Sequence, residues 1–279
     1  MSFSEHMLRG RSEDGLRLDG VGIMPDGEFL PTGVVWVHDH FASFYNPPYI
    51  EVSRALAERG FLSVVGNTRG HDFGAVLSDR SGRPIVGGSG WERFHEGPYD
   101  ITTWISAAIR LGADDVILVG HGFGGRKVVY YQVERNDPRV KGVAVASAGL
   151  DYPPVDPDLL ARAEDMVAHG QGRDILPWPP IGAGMSAQTF VDAGMTYQNI
   201  LYEHNGRPGV VSRLHSPLLV FCGETEDAPA RIETNLKTVA RNAHASARVS
   251  TAIIPGIGRL YTDGEEGVAD LLDQWIETL

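Results

Sequence analysis

Short apolar runs recur along the chain, and most are followed by a stretch with helical spacing of apolar positions. Gly33-Val34-Val35-Trp36-Val37 reads as a buried strand, because a strand covered on both faces is continuously apolar instead of alternating. Ile50, Val52 and Leu56 then mark a helix over 49–59, closed by Gly60. The same alternation follows: strand 61–65, helix 99–111, strand 116–119, helix 126–135, strand 140–146. After an interruption come strand 217–222, helix 231–243, strand 249–254 and an amphipathic helix 265–279. Residues 1–31 read as a hairpin or irregular lead-in, with turns at Asp14-Gly15 and Asp26-Gly27. Residues 73–97, rich in Gly, Ser and Arg, read as a long loop.

Strands alternating with helices imply an α/β fold, a mostly parallel sheet with helices on both faces. The periodicity breaks down between 151 and 213. There an acidic helix candidate near 157–169 is followed by Pro177-Trp178-Pro179-Pro180 and the aromatic residues Phe190, Tyr197 and Tyr202. The pattern therefore divides the chain into a core, 1–150 and 214–279, and an inserted cap, 151–213. Ligands on such sheets bind at the carboxyl ends of the strands. The loops at 38–41, 69–72 and 120–124 all follow strands and are expected to converge there, beneath the cap.

Strand 116–119 runs into Gly120-His121-Gly122-Phe123-Gly124-Gly125 and then into a helix. This is the strand–turn–helix setting of a nucleophile elbow, G-x-S-x-G, with glycine at the serine position. The elbow residue is held at positive φ, which glycine adopts without strain. No Ser, Cys or Thr occurs from Ala107 to Ala146, so no neighbouring side chain restores the nucleophile.

The order of elements resembles the α/β-hydrolase superfamily from about Gly33 to the end. Lys127-Val128-Val129-Tyr130-Tyr131, Asp137-Pro138-Arg139-Val140-Lys141 and Asn67-Thr68-Arg69-Gly70 are similar to segments of a hydrolase-like branch of it. Val37-His38 resembles the oxyanion strand, which usually continues with glycine; here Asp39 stands instead. The resemblance implies a triad of elbow nucleophile, late acid and final histidine. Gly122 holds the first position. Glu226 or Asp227, in Gly223-Glu224-Thr225-Glu226-Asp227, fills the second. Arg259, in Ile254-Pro255-Gly256-Ile257-Gly258-Arg259, stands at the third, and no histidine follows His244. Serine-hydrolase chemistry needs a hydroxyl and a base for its proton, and both are missing.

The remaining chemistry is carried by backbone groups and four histidines. The N–H groups of His40 and Phe123 are the expected oxyanion donors, which a change of side chain leaves in place. Arg259 either anchors a substrate carboxylate or pairs with Glu226 or Asp227. His38, His40, His71 and His121 fall on carboxyl-end loops, with His40 and His71 the better general-base candidates and His121 expected beneath the turn. Trp91 and Trp178 are candidates for an apolar pocket wall. A metal at His38 and His40, completed by His71 or Asp72, ranks below the oxyanion reading; no metal or cofactor is expected.

Composition narrows the partners. A net charge of −12 argues against nucleic acid. A single cysteine, Cys222, rules out an internal disulfide and fits the cytoplasm. No apolar run reaches membrane-span length, and the opening residues carry no signal-peptide pattern. Three readings follow. The first is a non-hydrolytic enzyme, a lyase, cyclase or isomerase, working on a small carbonyl compound through the backbone donors. The second is a pseudohydrolase that binds a ligand or protein, with an acid and an arginine locked together. The third is a hydrolase using activated water.

Overall fold

The computed structural model describes residues 2–149, 155–176, 184–196 and 199–279. Strands β1 (Phe3–Arg11), β2 (Arg17–Pro25), β3 (Thr32–Val37), β4 (Ser63–Gly66), β5 (Ala75–Ser78), β6 (Pro84–Gly87), β7 (Asp115–His121), β8 (Val140–Ala146), β9 (Leu218–Gly223) and β10 (Val249–Ile254) form two sheets. Eight of them make one sheet in the order β1-β2-β4-β3-β7-β8-β9-β10, and β5 pairs with β6. From β4 to β10 every pairing is parallel, while β1 and β2 are antiparallel additions at one edge.

Helices α1 (Tyr49–Glu58), α2 (Gly97–Leu111), α3 (Phe123–Arg135), α4 (Pro157–Ala168), α5 (Ala187–Thr196), α6 (Pro229–Asn242) and α7 (Glu265–Ile276) complete the chain. The strand residues sort by alternation. Val35, Val37, Leu118, Val143, Val145 and Val220 face α2, α3 and α6. Val34, Trp36, Ile117, Val119, Ala144 and Phe221 face α1 and α7. Successive residues of a strand point to opposite faces, and both faces here are covered, which is why the central strands read as unbroken apolar runs.

Of the two alternatives for residues 1–31 the structure has the hairpin, with strands of nine residues each that extend the sheet. Only β2 buries much of its length, so the pair's apolar signal is weak. The loop expected over 73–97 contains the hairpin β5–β6, which exposes Val76 and Val86 and so has little apolar alternation to read.

The segment between β8 and β9 carries α4 and α5, which pack through Ala163, Leu176, Met185 and Phe190. It docks on the 73–97 stretch. Ser186 N–H donates to the Gly90 carbonyl at 2.7 Å, Trp91 Nε1–H donates to the Arg173 carbonyl at 2.9 Å, and Arg93 pairs with Asp192 at 2.8 Å. Trp178 and Tyr197 lie outside the described residues. No described helix is long and apolar enough to cross a membrane.

Candidate functional site

The turn after β7 is shaped by its glycines. A Cβ at Gly120 would lie 2.2 Å from the Gly124 carbonyl oxygen, and one at Gly124 would lie 2.2 Å from that of Val37. Only glycine lets the start of α3 press this closely on β3 and β7. Gly122 itself has φ 55° and ψ −119°, the left-handed geometry expected of an elbow. A Cβ there would lie 2.1 Å from both Cγ and Oδ1 of Asp39. The carboxylate of Asp39 therefore fills the space into which an elbow side chain projects.

That carboxylate is fully engaged. Its Oδ1 accepts the Phe123 N–H at 2.6 Å and the His40 N–H at 2.8 Å. Its Oδ2 accepts Arg259 Nη2–H at 2.7 Å. Burial opposes its ionisation, but His121, the Arg259 charge and the Phe123 N–H outweigh burial and hold its pKa below the usual carboxylate value. The expectation of free oxyanion donors is thereby corrected. Both N–H groups are present at the expected place, and the protein's own carboxylate occupies them. Arg259 is likewise partnered with Asp39, not with Glu226 or Asp227.

Arg259 is fixed from three sides. Its Nη1–H donates to the Ser147 carbonyl at 2.7 Å, Nη2–H to Asp39, and its own carbonyl accepts His121 Nε2–H at 2.8 Å. Ser147 follows β8 at φ 51°. Its hydroxyl donates to Glu226 Oε1 and accepts from the Tyr261 hydroxyl. Glu226 Oε1 also accepts the Gly223 N–H at 2.7 Å. Of the two candidate acids, Glu226 turns inward. Asp227 lies on the surface, accepting the Ala228 N–H and pairing with Arg231. A cavity of about 110 Å³ beneath α6 is bordered by Ser147, Cys222, Glu226 and Arg259. Burial pushes the Cys222 thiol up to about 12, so it serves as a small apolar wall.

The histidines separate into different roles. His121 is buried beneath the turn. Its Nδ1 accepts from the Tyr49 hydroxyl at 3.1 Å, while that hydroxyl accepts the Asp39 N–H at 2.8 Å. His38 Nδ1–H donates to the Asp39 carbonyl at 2.9 Å and Nε2 accepts the Thr68 N–H at 3.0 Å. Both nitrogens are spent, which leaves no lone pair for the metal considered from the sequence. His71 sits elsewhere. Its Nδ1 lies 2.8 Å from Asp72 Oδ2, and it lines a surface groove with Phe44 and Tyr45. Its candidacy as a base at the elbow is corrected on that ground.

His40 packs edge-on against Phe41, with ring centroids 4.2 Å apart, and against Phe123 at 4.9 Å. Both its ring nitrogens are buried and have no hydrogen-bond partner among the described residues. Burial, opposed by Glu92 and aided by Lys127, lowers its pKa to about 4. Glu92 and Lys127 form a buried pair at 2.6 Å next to it. Lys127 also lies over the Phe123 ring at 5.3 Å. Trp91 braces the α4–α5 segment through its Nε1, and its ring lies 5.8 Å from that of Phe73.

No family model matches the chain, and none of the curated proteins does. Solved structures do match over nearly the full length. DcsB in complex with its substrate analogue has a TM-score of 0.71 at 14% identity, covering 99% of each chain. A highly thermostable carboxyl esterase from Bacillus coagulans, in complex with glycerol, has 0.70 at 14%, over 98% of this chain and 99% of that one. The alpha/beta hydrolase GrgF from Penicillium sp. sh18 has 0.68 at 13%, over 98% and 97%.

The chain has the α/β-hydrolase fold. At these identities the likeness is one of fold. On that fold Gly122 follows β7, Glu226 follows β9 and Arg259 follows β10. Sequence reasoning missed the contribution of Asp39, although its place in the oxyanion loop was visible. It also missed Ser147, Tyr261 and the Glu92–Lys127 pair. Glu92 and Lys127 are 35 positions apart in sequence and read as ordinary surface charges until the fold joins them.

Proposed function

We propose that this chain is a pseudohydrolase, a small-molecule-binding protein on the α/β-hydrolase fold that performs no acyl transfer. One observation carries the reading: Asp39 Oδ1 accepts both N–H groups that would polarise a substrate carbonyl. Such donors accelerate a reaction only when aimed at charge that develops on the substrate. Here they are satisfied before any substrate arrives. The nucleophile position carries no side chain, and the base position carries an arginine held by Asp39 and Ser147. In this reading 1–150 and 214–279 form the core, and 151–213 covers the ligand as a cap, with Trp91 among the apolar walls.

The non-hydrolytic enzyme is the second reading, favoured by His40 alone. Its nitrogens have no hydrogen-bond partner among the described residues, and it abuts Phe123. A base with a pKa of about 4 is poorly matched to proton abstraction near neutral pH, which is why binding ranks first.

The test is to incubate purified protein with an ester panel and with a metabolite extract of its host, and to follow masses against a heat-killed control. Ligands that co-purify unchanged, with no ester cleaved, support the pseudohydrolase. A product of equal mass, or one that has lost a small fragment, establishes the isomerase or lyase reading. A gain of water returns the protein to hydrolysis.

A further inference from the structure

The eight-stranded sheet ends on β1, and the outer side of that strand is open. The Asp26 N–H donates to the Ser2 carbonyl at 2.9 Å and the Ser12 N–H to the Leu16 carbonyl at 2.8 Å. The Asp19 carbonyl of β2 is turned the other way and accepts the Asn67 N–H at 3.0 Å. The register runs unbroken from Phe3↔Pro25 to Arg11↔Arg17. Even-numbered residues of β1 therefore bond to β2, and the backbone groups of Phe3, Glu5, Met7 and Arg9 point away from the sheet. No described segment hydrogen-bonds to them. The carbonyl of Arg11, next in that row, is taken by the Thr103 hydroxyl at 3.1 Å. A long free edge is a template for another strand, and proteins commonly blunt one with a proline, a bulge or brevity. β1 is nine residues long, has no proline and pairs with β2 without a bulge.

We propose that β1 pairs antiparallel with β1 of a second copy of this chain, about a two-fold axis at Met7, so that two sheets become one. The charges select this register. An axis at Met7 sets Met7 against its own copy and each Glu5 directly opposite an Arg9, on both sides of the axis. Odd-numbered side chains share one face of the strand, so these are opposed cross-strand ion pairs. An axis at His6 would set Glu5 against Met7. One at Leu8 would set Arg9 against Met7, and Glu5 against Arg11, whose carbonyl is already engaged. Within one chain Glu5 meets Arg54 at 2.6 Å and Arg9 lies 3.9 Å from Asp19, with all four side chains at least partly exposed. Each can therefore turn to a second counter-charge. Met7 is 71% exposed and borders a surface groove with Phe44 and Tyr45, itself 60% exposed. A two-fold interface uses the same patch from both copies, which brings this apolar ground against itself.

Sedimentation velocity on the full chain is expected to show a reversible monomer–dimer equilibrium between about 1 and 100 μM. The Met7 N–H faces outward, so Met7→Pro removes a donor from the new ladder and none from the bonds to β2. It is expected to leave a monomer whose thermal transition stays cooperative. Glu5→Arg and Arg9→Glu each set like charges opposite one another, and each is expected to weaken self-association about tenfold or more. Mixed together, these two variants are expected to pair again, because opposite charges then face across both sides of the axis. In the wild-type chain the amides of Glu5, Met7 and Arg9 are expected to gain hydrogen-exchange protection as concentration rises, a readout that needs no variant. A monomer throughout that range, a dimer that survives Met7→Pro, charge variants that fail to recover on mixing, or unchanged exchange at these amides would each overturn the proposal. None of these outcomes bears on ester cleavage or ligand binding, so the proposal stands or falls apart from the pseudohydrolase reading.

Discussion

Arg259 and Asp39, 220 positions apart along the chain, meet at 2.7 Å, and the Asp39 carboxylate lies over the Cα of Gly122. The contact joins three departures from the hydrolase pattern into one. In the proposed pseudohydrolase reading these are glycine at the elbow serine's place, aspartate at the oxyanion loop's glycine and arginine at the last histidine's place. A side chain at 122 and the carboxylate of Asp39 compete for the same space, so Asp39 in this position needs glycine at 122. Arg259 then neutralises the charge that the aspartate introduces.

Restoring the elbow serine is therefore expected to harm the fold without restoring activity. In Gly122→Ser the new Cβ meets the Asp39 carboxylate, and φ 55° is strained for serine. The strain alone costs about 1–3 kcal/mol, before the displaced ion pair is counted. Denaturant unfolding is expected to show that loss, with no ester turnover. Adding Asp39→Gly is expected to recover part of it, a coupling measurable by a double-mutant cycle. An active Gly122→Ser would mean that a base reaches the elbow after all.

Removing one member of the buried Glu92–Lys127 pair strands the other. Glu92→Gln is expected to destabilise by about 3–5 kcal/mol, whereas Glu92→Gln combined with Lys127→Met is expected to be much milder. Both side chains are almost wholly buried, so solvent does little to screen the stranded charge. Equilibrium unfolding of the two variants side by side checks the order.

Acid is expected to weaken the fold through its buried histidines. Burial lowers the pKa of His38 to about 3 and of His40 to about 4. Both lie below the unfolded value near 6.5. As pH falls below 6.5 the unfolded chain takes up protons that the native rings refuse, so stability drops with falling pH, down to about pH 4 for His40. Each histidine contributes at most about 1.4 kcal/mol per pH unit in its window. His40→Phe is expected to unfold with a shallower dependence between pH 6.5 and 4. An identical slope in the variant would show that His40 is not held neutral.

The architecture was legible because the central strands are buried on both faces and so read as plain apolar runs. Val34 to Val37 and Val116 to Val119 are such runs, and the helices between them keep their spacing. The first hairpin was harder, since β1 leaves most of its side chains exposed. In the site, glycine at 122, arginine at 259 and the neighbouring acids Glu226 and Asp227 were legible as residues. Which of Glu226 and Asp227 turns inward depends on Ser147, far along the chain and held by its left-handed backbone. The plug was not legible. A carboxylate beside a catalytic glycine position reads as a loop substitution until the fold aims it at two N–H groups.

The central claim is that Asp39 occupies the oxyanion hole, and backbone amide NMR tests it most directly. N–H groups bound to a carboxylate at 2.6 and 2.8 Å are expected to give strongly downfield proton resonances for Phe123 and His40. Both are expected to shift upfield together in Asp39→Ala. Ordinary shifts in the wild-type chain, unmoved by that substitution, would mean that the hole stands open and that the carboxylate does not plug it.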